Sequence, residues 1–362
     1  MSDPAQAFDV LVIGAGPAGL ALGRELRRLG VSFRIIERGA TVGESWRRMP
    51  ESLKLVSPWK ATHLPGETLR SWKPNREVRR AEFLEYLVDY ARTNELPILT
   101  GTEVLAVRRD SAEGFTVETS VGPFVCRRVV SAAGYFQNPH VPKIEGLATT
   151  RIPWRHVASY RSVAQLEQEL GGRSKRILIV GKRLSAGQIL VELSAAGFVV
   201  SISHRSPIQF GSGPIGWWFF FRIYPWLETR KLRRHGEAAR GFEVQMPGGQ
   251  ARRLIQNGTV RCYPAIQSLG AAQVNFQNGE VYEPDAILFA TGFRPALEPL
   301  QPLGISIDPG TGRPKTLGMQ SAEVAGLYFL GLDHGRNFQS RFIRGIRNDA
   351  VVLAQRLAEA KT

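Results

Sequence analysis

The chain has 362 residues, 43% of them hydrophobic and 22% charged, with a formal net charge of +15 at pH 7. That length buries a large core and exceeds the usual single domain, so two domains are expected. No apolar run approaches the roughly 18 residues of a membrane span, the N-terminus (Met1 to Phe8) lacks a signal-peptide pattern, and the arginines fall in scattered pairs rather than one basic block, so the reading is a cytoplasmic protein with neither integral membrane association nor a nucleic-acid partner.

The first element is a short apolar run, Asp9 to Ile13, that feeds directly into Gly14-Ala-Gly16-Pro17-Ala18-Gly19. Leu20 to Leu29 then carries apolar residues at helical spacing, and a second apolar stretch, Val31 to Ile36, ends on Glu37. Strand, G-x-G-x-x-G, helix, strand and an acid about twenty residues beyond the glycines form the dinucleotide-binding fingerprint. Each part has a physical task. Gly14 permits the tight turn, Gly16 lets the backbone approach a pyrophosphate, and Gly19 lets helix and strand pack closely. The helix N-terminus offers free N–H groups and a positive dipole end to the phosphates. Glu37 accepts hydrogen bonds from a ribose 2′-OH and repels a 2′-phosphate, which selects FAD or NAD over NADP.

Ala81 to Arg92 reads as an amphipathic helix with Phe83, Leu84, Leu87 and Val88 on its stripe. Short β-like runs follow at 98–99, 103–108 (containing Val104), 115–119 and 124–130, with a turn at 110–114, and suggest a small meander set into the first domain. The apolar strand from Val129 ends on the small residues Ala132, Ala133 and Gly134, and Pro139, Pro142 and Pro153 punctuate an extended linker. Cys126 and Cys262 are far apart and form no C-x-x-C, so neither a redox dithiol nor a metal site is expected.

A second unit repeats the first. Ile177 to Gly181 is a buried strand, Ser185 to Ala196 a helix, and Val199 to Ser203 the next strand, ending at His204-Arg205. The internal repeat argues for two dinucleotide-binding domains. The second half is interrupted by an unusually aromatic stretch, Gly213 to Trp226, open to three readings: a core element joining the domains, a lid over an apolar substrate, or a patch resting on a membrane surface. Ala286 to Gly292 repeats the strand that ends at Gly134. Gly326 to Leu332 is a last strand, and a C-terminal helix is predicted over roughly Ser340 to Ala360. The overall expectation is an α/β protein with two Rossmann-like domains.

With these residues in place the chain resembles the two-dinucleotide-binding flavoproteins, specifically the class B flavin monooxygenases: flavin-containing monooxygenases, the plant YUCCA type, N-hydroxylases and Baeyer–Villiger enzymes. The resemblance covers nearly the whole chain. It rests on the order and spacing of Gly14 to Leu20, Glu37-Arg38, Gly43-Glu44-Ser45-Trp46, Leu64-Pro65-Gly66, Arg80 to Ala91, Gly134-Tyr-Phe-Gln-Asn-Pro-His-Val-Pro142, His156 with Tyr160, Ala290-Thr291-Gly292-Phe-Arg-Pro295, Gly331 and Asp349-Ala350. It implies FAD on 1–160 plus 293–362 and NADPH on an inserted domain, 161–292. The FAD residues implied are Gly14, Gly16, Pro17, Ala18, Gly19, Glu37, Arg38, Glu44, Ser45, Trp46, Val104, Ala133, Gly134, Gly331, Asp333 and Gln339. The C-terminal helix near 337–340 would aim its N-terminus at the isoalloxazine. The NADPH residues implied are Gly181, Lys182, Arg183, Leu184, Ser185, His204, Arg205, Thr291 and Gly292, with Arg205 as the cation for the 2′-phosphate.

The resemblance further implies oxygenation of a small, apolar or aromatic substrate by O2: a C4a-(hydro)peroxyflavin delivers one oxygen atom to S, N or carbon, or attacks a carbonyl. The alternatives are a flavin dehydrogenase or oxidase without oxygen insertion, and a catalytically weak FAD-binding protein. Three departures from the pattern bear on this. Arg183 stands where the second motif needs its middle glycine. Thr150 and Ile152 replace a Phe and a Gly ahead of His156. Val56 takes the place of an Asn near the flavin, leaving Ser57 and Trp59 as candidate catalytic residues beside His334, whose loop should pass the flavin. His63, His140 and His156 are read as structural. An oligomer is possible.

Overall fold

The computed structural model describes residues 7–66, 76–110, 114–172, 175–211, 223, 226–227, 230, 245–333 and 335–359. Two sheets with parallel cores organise the chain, the first carrying antiparallel strands at its margins. The first is built on β1 (Ala7–Ile13), β2 (Phe33–Ile36), β3 (Ile98–Leu99), β4 (Val104–Arg109), β5 (Phe115–Thr119) and β6 (Gly122–Ser131). Late in the chain β15 (Thr316–Leu317), β16 (Gln320–Ser321) and β17 (Leu327–Phe329) complete it, in the order β15-β16-β17-β6-β1-β2-β3, with β4 and β5 paired off β6. Val10, Leu11 and Val12 are wholly buried, which is why this central strand reads as a continuous apolar run: both of its faces are covered.

The helices α1 (Pro17–Arg28), α2 (Glu44–Arg47) and α3 (Arg80–Thr93) belong to this half. In α1, Leu20, Leu22 and Leu26 are fully buried, each stabilising the fold by about 1.5–3 kcal/mol as an upper bound. Their cluster takes in Ile346, Ala350, Leu353 and Leu357 from the far end of the chain, so the first domain closes only when the C-terminus returns to it.

The second sheet has the order β10-β9-β8-β14-β7. Its strands are β7 (Trp154–His156), β8 (Arg176–Val180), β9 (Val199–Ser203), β10 (Arg261–Tyr263) and β14 (Ala286–Phe289), joined by α4 (Val163–Leu170), α5 (Leu184–Ala195) and α6 (Gln250–Gln256). A small antiparallel sheet of β11 (Ile266–Leu269), β12 (Val274–Phe276) and β13 (Val281–Tyr282) stands beside it. Both βαβ units and the meander thus fall where the sequence pattern placed them.

Two placements differ from the sequence pattern. Trp154, Arg155 and His156 pair in parallel with Ile287, Leu288 and Phe289, so this segment joins the second sheet. The C-terminal helix also does not begin near 340. Phe338–Arg341 is a separate 3-10 turn, closed by a capping box between Asn337 and Ser340, and the Asn337 side chain also accepts from the Gln339 N–H. Phe342 is extended, at φ −95° and ψ 154°, and breaks it from α7 (Ile343–Glu359). The helix dipole expected at 337–340 therefore starts from Ile343.

Candidate active site

In the first sheet Ile13 lies in register with Ile36 and Ser131, and Ser131 with Phe329. Four strands therefore release their chains abreast, at the carboxyl edge where open α/β sheets receive ligands. The glycine turn follows β1, Ala133 and Gly134 follow β6, and Gly331 follows β17. These segments touch. A Cβ on Gly14 (φ +106°) would sit 2.8 Å from the Ala132 carbonyl oxygen, and one on Gly331 3.3 Å from the Ala18 Cβ. At Gly16 the situation reverses: a Cβ there would meet nothing within 4 Å. Gly16 is also the N-cap of α1, which has no side-chain cap and no acid in its first turn. Open space in front of an uncapped helix N-terminus fits a pyrophosphate.

Glu37 is 5% exposed, and its two oxygens accept from the Ala15 N–H at 2.8 Å and the Gly39 N–H at 2.7 Å. Its first task is to hold the glycine turn against the next loop. A carboxylate offers about four acceptor positions, so a ribose hydroxyl fits in addition. Beside it, the Thr102 N–H donates to the Glu37 carbonyl at 3.0 Å, which carries buried Val104 past the same edge. Arg38 points outward to Glu103 at 3.3 Å. Glu44 is engaged by Arg48 at 3.1 Å. Asp333 is enclosed by cations and a phenol: Arg313 lies at 2.5 Å, Arg341 at 3.2 Å and the Tyr135 hydroxyl at 3.0 Å. Burial, with the Asp333 charge, pushes the Tyr135 phenol up. Gln339 is buried in its turn.

The second sheet repeats the arrangement with different chemistry. Val180 is in register with Ser203 and with Phe289. A Cβ on Gly181 would lie 2.4 Å from the Ala290 carbonyl oxygen, and the Thr291 hydroxyl donates to the His140 carbonyl. Arg183 caps α5 with extended backbone, φ −112° and ψ −164°, and no side-chain cap bond. An arginine adopts that backbone without strain, and its side chain is exposed. Lys182, Leu184 and Ser185 flank it at the helix start. His204, whose Nδ1 lies 3.1 Å from the Ser206 carbonyl, is held below its ordinary pKa chiefly by burial. Arg205 next to it is exposed.

Between the two edges lies a cleft of about 410 Å³. One wall is Ser45 and the 48–54 segment of the first domain; the other is α5 through Ser185, Gln188, Ile189 and Glu192, with Pro247 and Gly248. Phe136 and Phe293 line it and meet edge to face at 5.3 Å. Trp46 packs on Phe136 at 6.0 Å and His156 on Phe293 at 4.8 Å, so an aromatic ladder crosses from one domain to the other. His156 is 6% exposed; its Nδ1 accepts from the Ala158 N–H at 3.0 Å and its Nε2 has no partner. Burial above all, and the nearby His140, push it down to about 4. It is a neutral, packed histidine.

The candidate catalytic residues are not brought together. Trp59 is 7% exposed and packs edge to face on Tyr86 at 5.5 Å within the first core. Ser57 serves a local turn, its carbonyl accepting from the Thr62 hydroxyl at 3.1 Å. Neither lines the cleft. His334 lies outside the described residues, as does Gly213 to Trp226 apart from Ile223 and Trp226; Trp226 is 59% exposed. Sequence reasoning missed Phe136 and Phe293 as cleft residues. The signal was present: each stands one or two residues past a small-residue strand end, at Gly134 and Gly292.

A family model described as pyridine nucleotide-disulphide oxidoreductase matches residues 11–331. An oxidoreductase termed CzcO-like from Geobacillus kaustophilus is 32% identical over 355 residues, 95% of this chain and 97% of that protein. A probable indole-3-pyruvate monooxygenase, YUCCA9 of Arabidopsis thaliana, is 27% identical over 78% of this chain and 74% of its own. The solved flavin-containing monooxygenase from Stenotrophomonas maltophilia superposes with a TM-score of 0.81 at 24% identity, covering 99% of this chain and all of that one, which shows the shared fold. Among the described residues no helix is long and apolar enough to cross a membrane. The chain belongs to the pyridine nucleotide-disulphide oxidoreductase family and is similar to flavin monooxygenases.

Proposed function

We propose that this protein is an FAD- and NADPH-dependent monooxygenase that places one oxygen atom from O2 on a small, largely apolar organic substrate. The observation that carries the reading is the aromatic cleft set between two strand-edge glycine turns, one ending on Glu37 and the other on Arg205. FAD belongs to the first edge, on the open N-terminus of α1 with the ribose at Glu37. NADPH belongs to the second, with the N-terminus of α5 and the Arg183 charge at its pyrophosphate and Arg205 at its 2′-phosphate. The flavin, when bound, supplies hydride acceptance and oxygen activation. The protein's share is to align nicotinamide, flavin and substrate across the cleft and to keep water out of it. Phe136, Phe293, Ile189 and Leu53 provide that apolar lining.

The family's name includes disulphide chemistry, but the cysteines here do not serve it. Cys126 and Cys262 stand on different sheets and both are free, and burial pushes the Cys126 thiol up to about 12. A dehydrogenase or oxidase is the second reading, favoured by Arg183 in the glycine position. Anaerobic stopped-flow reduction of the FAD-loaded protein by NADPH and NADH, followed by mixing with O2, tests both. Fast reduction by NADPH and incorporation of labelled oxygen into product are expected. Stoichiometric release of hydrogen peroxide with every trial substrate would support the oxidase reading, and no reduction by either nucleotide would overturn the NADPH assignment.

A further inference from the structure

One wall of the cleft carries more positive charge than its carboxylates neutralise. Arg48 lines the cleft and shares Glu44 with Arg47, at 3.1 Å and 3.6 Å respectively. Arg80 and Arg161 stand beside it, brought there by the backbone. The Arg80 N–H donates to the carbonyl of the cleft residue Leu53 at 3.0 Å, and the Glu51 N–H to the Arg161 carbonyl at 2.9 Å. Among the described residues neither guanidinium pairs with a carboxylate. Arg80 Nη1 donates to the Arg47 carbonyl at 2.5 Å, and its buried Nε has no partner. Arg161 Nη1 donates to the carbonyls of Ala158, another cleft residue, at 2.8 Å, and of Tyr160 at 3.3 Å. Of the acids nearby, Glu77 pairs with Lys54 at 2.7 Å, and Glu192 on the opposite wall accepts from the Ser52 hydroxyl at 2.8 Å. Arg80 also opens the 14-residue helix α3, whose N-terminus adds positive potential.

We propose that Arg48, Arg80 and Arg161 form an oxyanion-binding rim that takes the anionic end of the molecule held in the cleft, so that the ligand is an apolar body carrying a carboxylate or a phosphate. Two guanidiniums held by carbonyls, and a third that shares the Glu44 carboxylate with Arg47, repel one another until an anion arrives. Consistent with this, Arg161 is held below the ordinary arginine pKa, by burial first and then by Arg48 and Arg80. Guanidinium forks bind oxyanions through paired charge-assisted bonds, and the apolar residues next to them accept the rest of the ligand. The inference rests on the cleft being the substrate site and names the class of substrate it selects. The same chemistry has two sources, an organic carboxylate or a phosphate of the nicotinamide nucleotide.

The test uses binding rather than turnover, so it can fail while the monooxygenase reading stands. FAD-loaded protein is titrated with 4-phenylbutyrate and with the isosteric 4-phenylbutyramide, read by the flavin difference spectrum, and with NADP+ by equilibrium dialysis. The wild-type protein should prefer the acid over the amide by about tenfold, the worth of one charge-assisted bond. The Arg80→Gln/Arg161→Gln variant should lose that preference, and Arg80→Lys/Arg161→Lys should keep part of it, with NADP+ affinity unchanged in all. Absence of acid preference in the wild type, with NADP+ affinity weakened about tenfold in the Gln variant, would assign the rim to the nucleotide phosphate. Equal binding of acid and amide by the wild type, together with unchanged NADP+ affinity in a Gln variant of normal flavin content and melting temperature, would overturn the proposal. If the Gln variant does not fold, the wild-type acid-to-amide ratio at low and high salt decides: a preference that salt erases supports the rim, and no preference at either refutes it.

Discussion

The two glycine turns perform the same geometric task with different chemistry. At Gly14 to Gly19 the turn is held from outside by a buried carboxylate, Glu37, and the middle glycine faces open space. At Gly181 to Ala186 the middle position is Arg183, in extended backbone that any residue adopts, and the strand that should supply an acid ends instead on His204 and Arg205. One turn is closed by a negative charge and left bare for its ligand; the other is open and surrounded by cations. The middle glycine is thus a requirement of ligand approach, whereas the first glycine is a requirement of the fold. Gly14 and Gly181 both have positive φ and both press on the next strand's carbonyl.

The two turns differ most sharply at their third position. A Cβ on Gly19 would lie 1.9 Å from the Gly14 carbonyl oxygen, a backbone clash, yet the equivalent residue in the second turn is Ala186, fully buried. Gly19→Ala should abolish soluble flavoprotein, whereas Ala186→Gly should fold and cost about 1 kcal/mol, the helical penalty of glycine. Soluble yield and chemical denaturation check both. Next is Glu37. Glu37→Ala leaves two buried N–H groups without their acceptor and should cost about 2–5 kcal/mol and most of the bound flavin, read by denaturation and the flavin-to-protein absorbance ratio.

The two halves also bury titratable groups of opposite sense. His156 at the second sheet edge is depressed to about 4. The unfolded chain therefore binds a proton that the native state refuses between about pH 6.5 and 4, and stability is lost as pH falls through that window. His156→Asn, which retains an acceptor for the Ala158 N–H, should flatten this acid limb by about 3 kcal/mol. Asp349 on α7 is 2% exposed, with Oδ2 unpaired and Arg336 at 3.4 Å, and burial raises it to about 6. Here the native state holds the proton the unfolded chain releases, so the contribution is fully present below about pH 4 and is lost as pH rises through 6. Asp349→Asn should raise stability by up to about 3 kcal/mol at pH 8 and leave it unchanged at pH 3.5. Melting temperatures across pH 3.5–8 for both variants check the signs; like slopes in the two would refute the assignment. The smallest effect expected is at Arg183. Arg183→Gly should weaken NADPH about three- to tenfold at low salt by removing a cation, with the difference erased by high salt. Tighter binding would mean that the side chain obstructs the nucleotide.

Much of this was legible in the sequence, and the reason is local. A buried parallel strand reads as a continuous apolar run, a turn with positive φ favours glycine, and an amphipathic helix repeats at its own period. Hence β1, α1, β8 and α5, the two glycine turns and the acid and cation that follow them were all readable without coordinates, as was the likeness to flavin monooxygenases. What only the tertiary structure decided concerns residues whose partners lie far along the chain. Trp59 became core because Tyr86 comes to meet it. Glu37 became a clasp because Ala15 and Gly39 turn their N–H groups inward. His156 joined the second sheet because its strand pairs with Phe289. Phe136 and Phe293, 157 positions apart, became one aromatic contact across the cleft, and Arg48, Arg80 and Arg161 became one cluster. Sequence spacing constrains what a residue does with its neighbours within a turn or two, but a cleft is made of surfaces that meet only when the two sheets are placed, and no local pattern carries that distance.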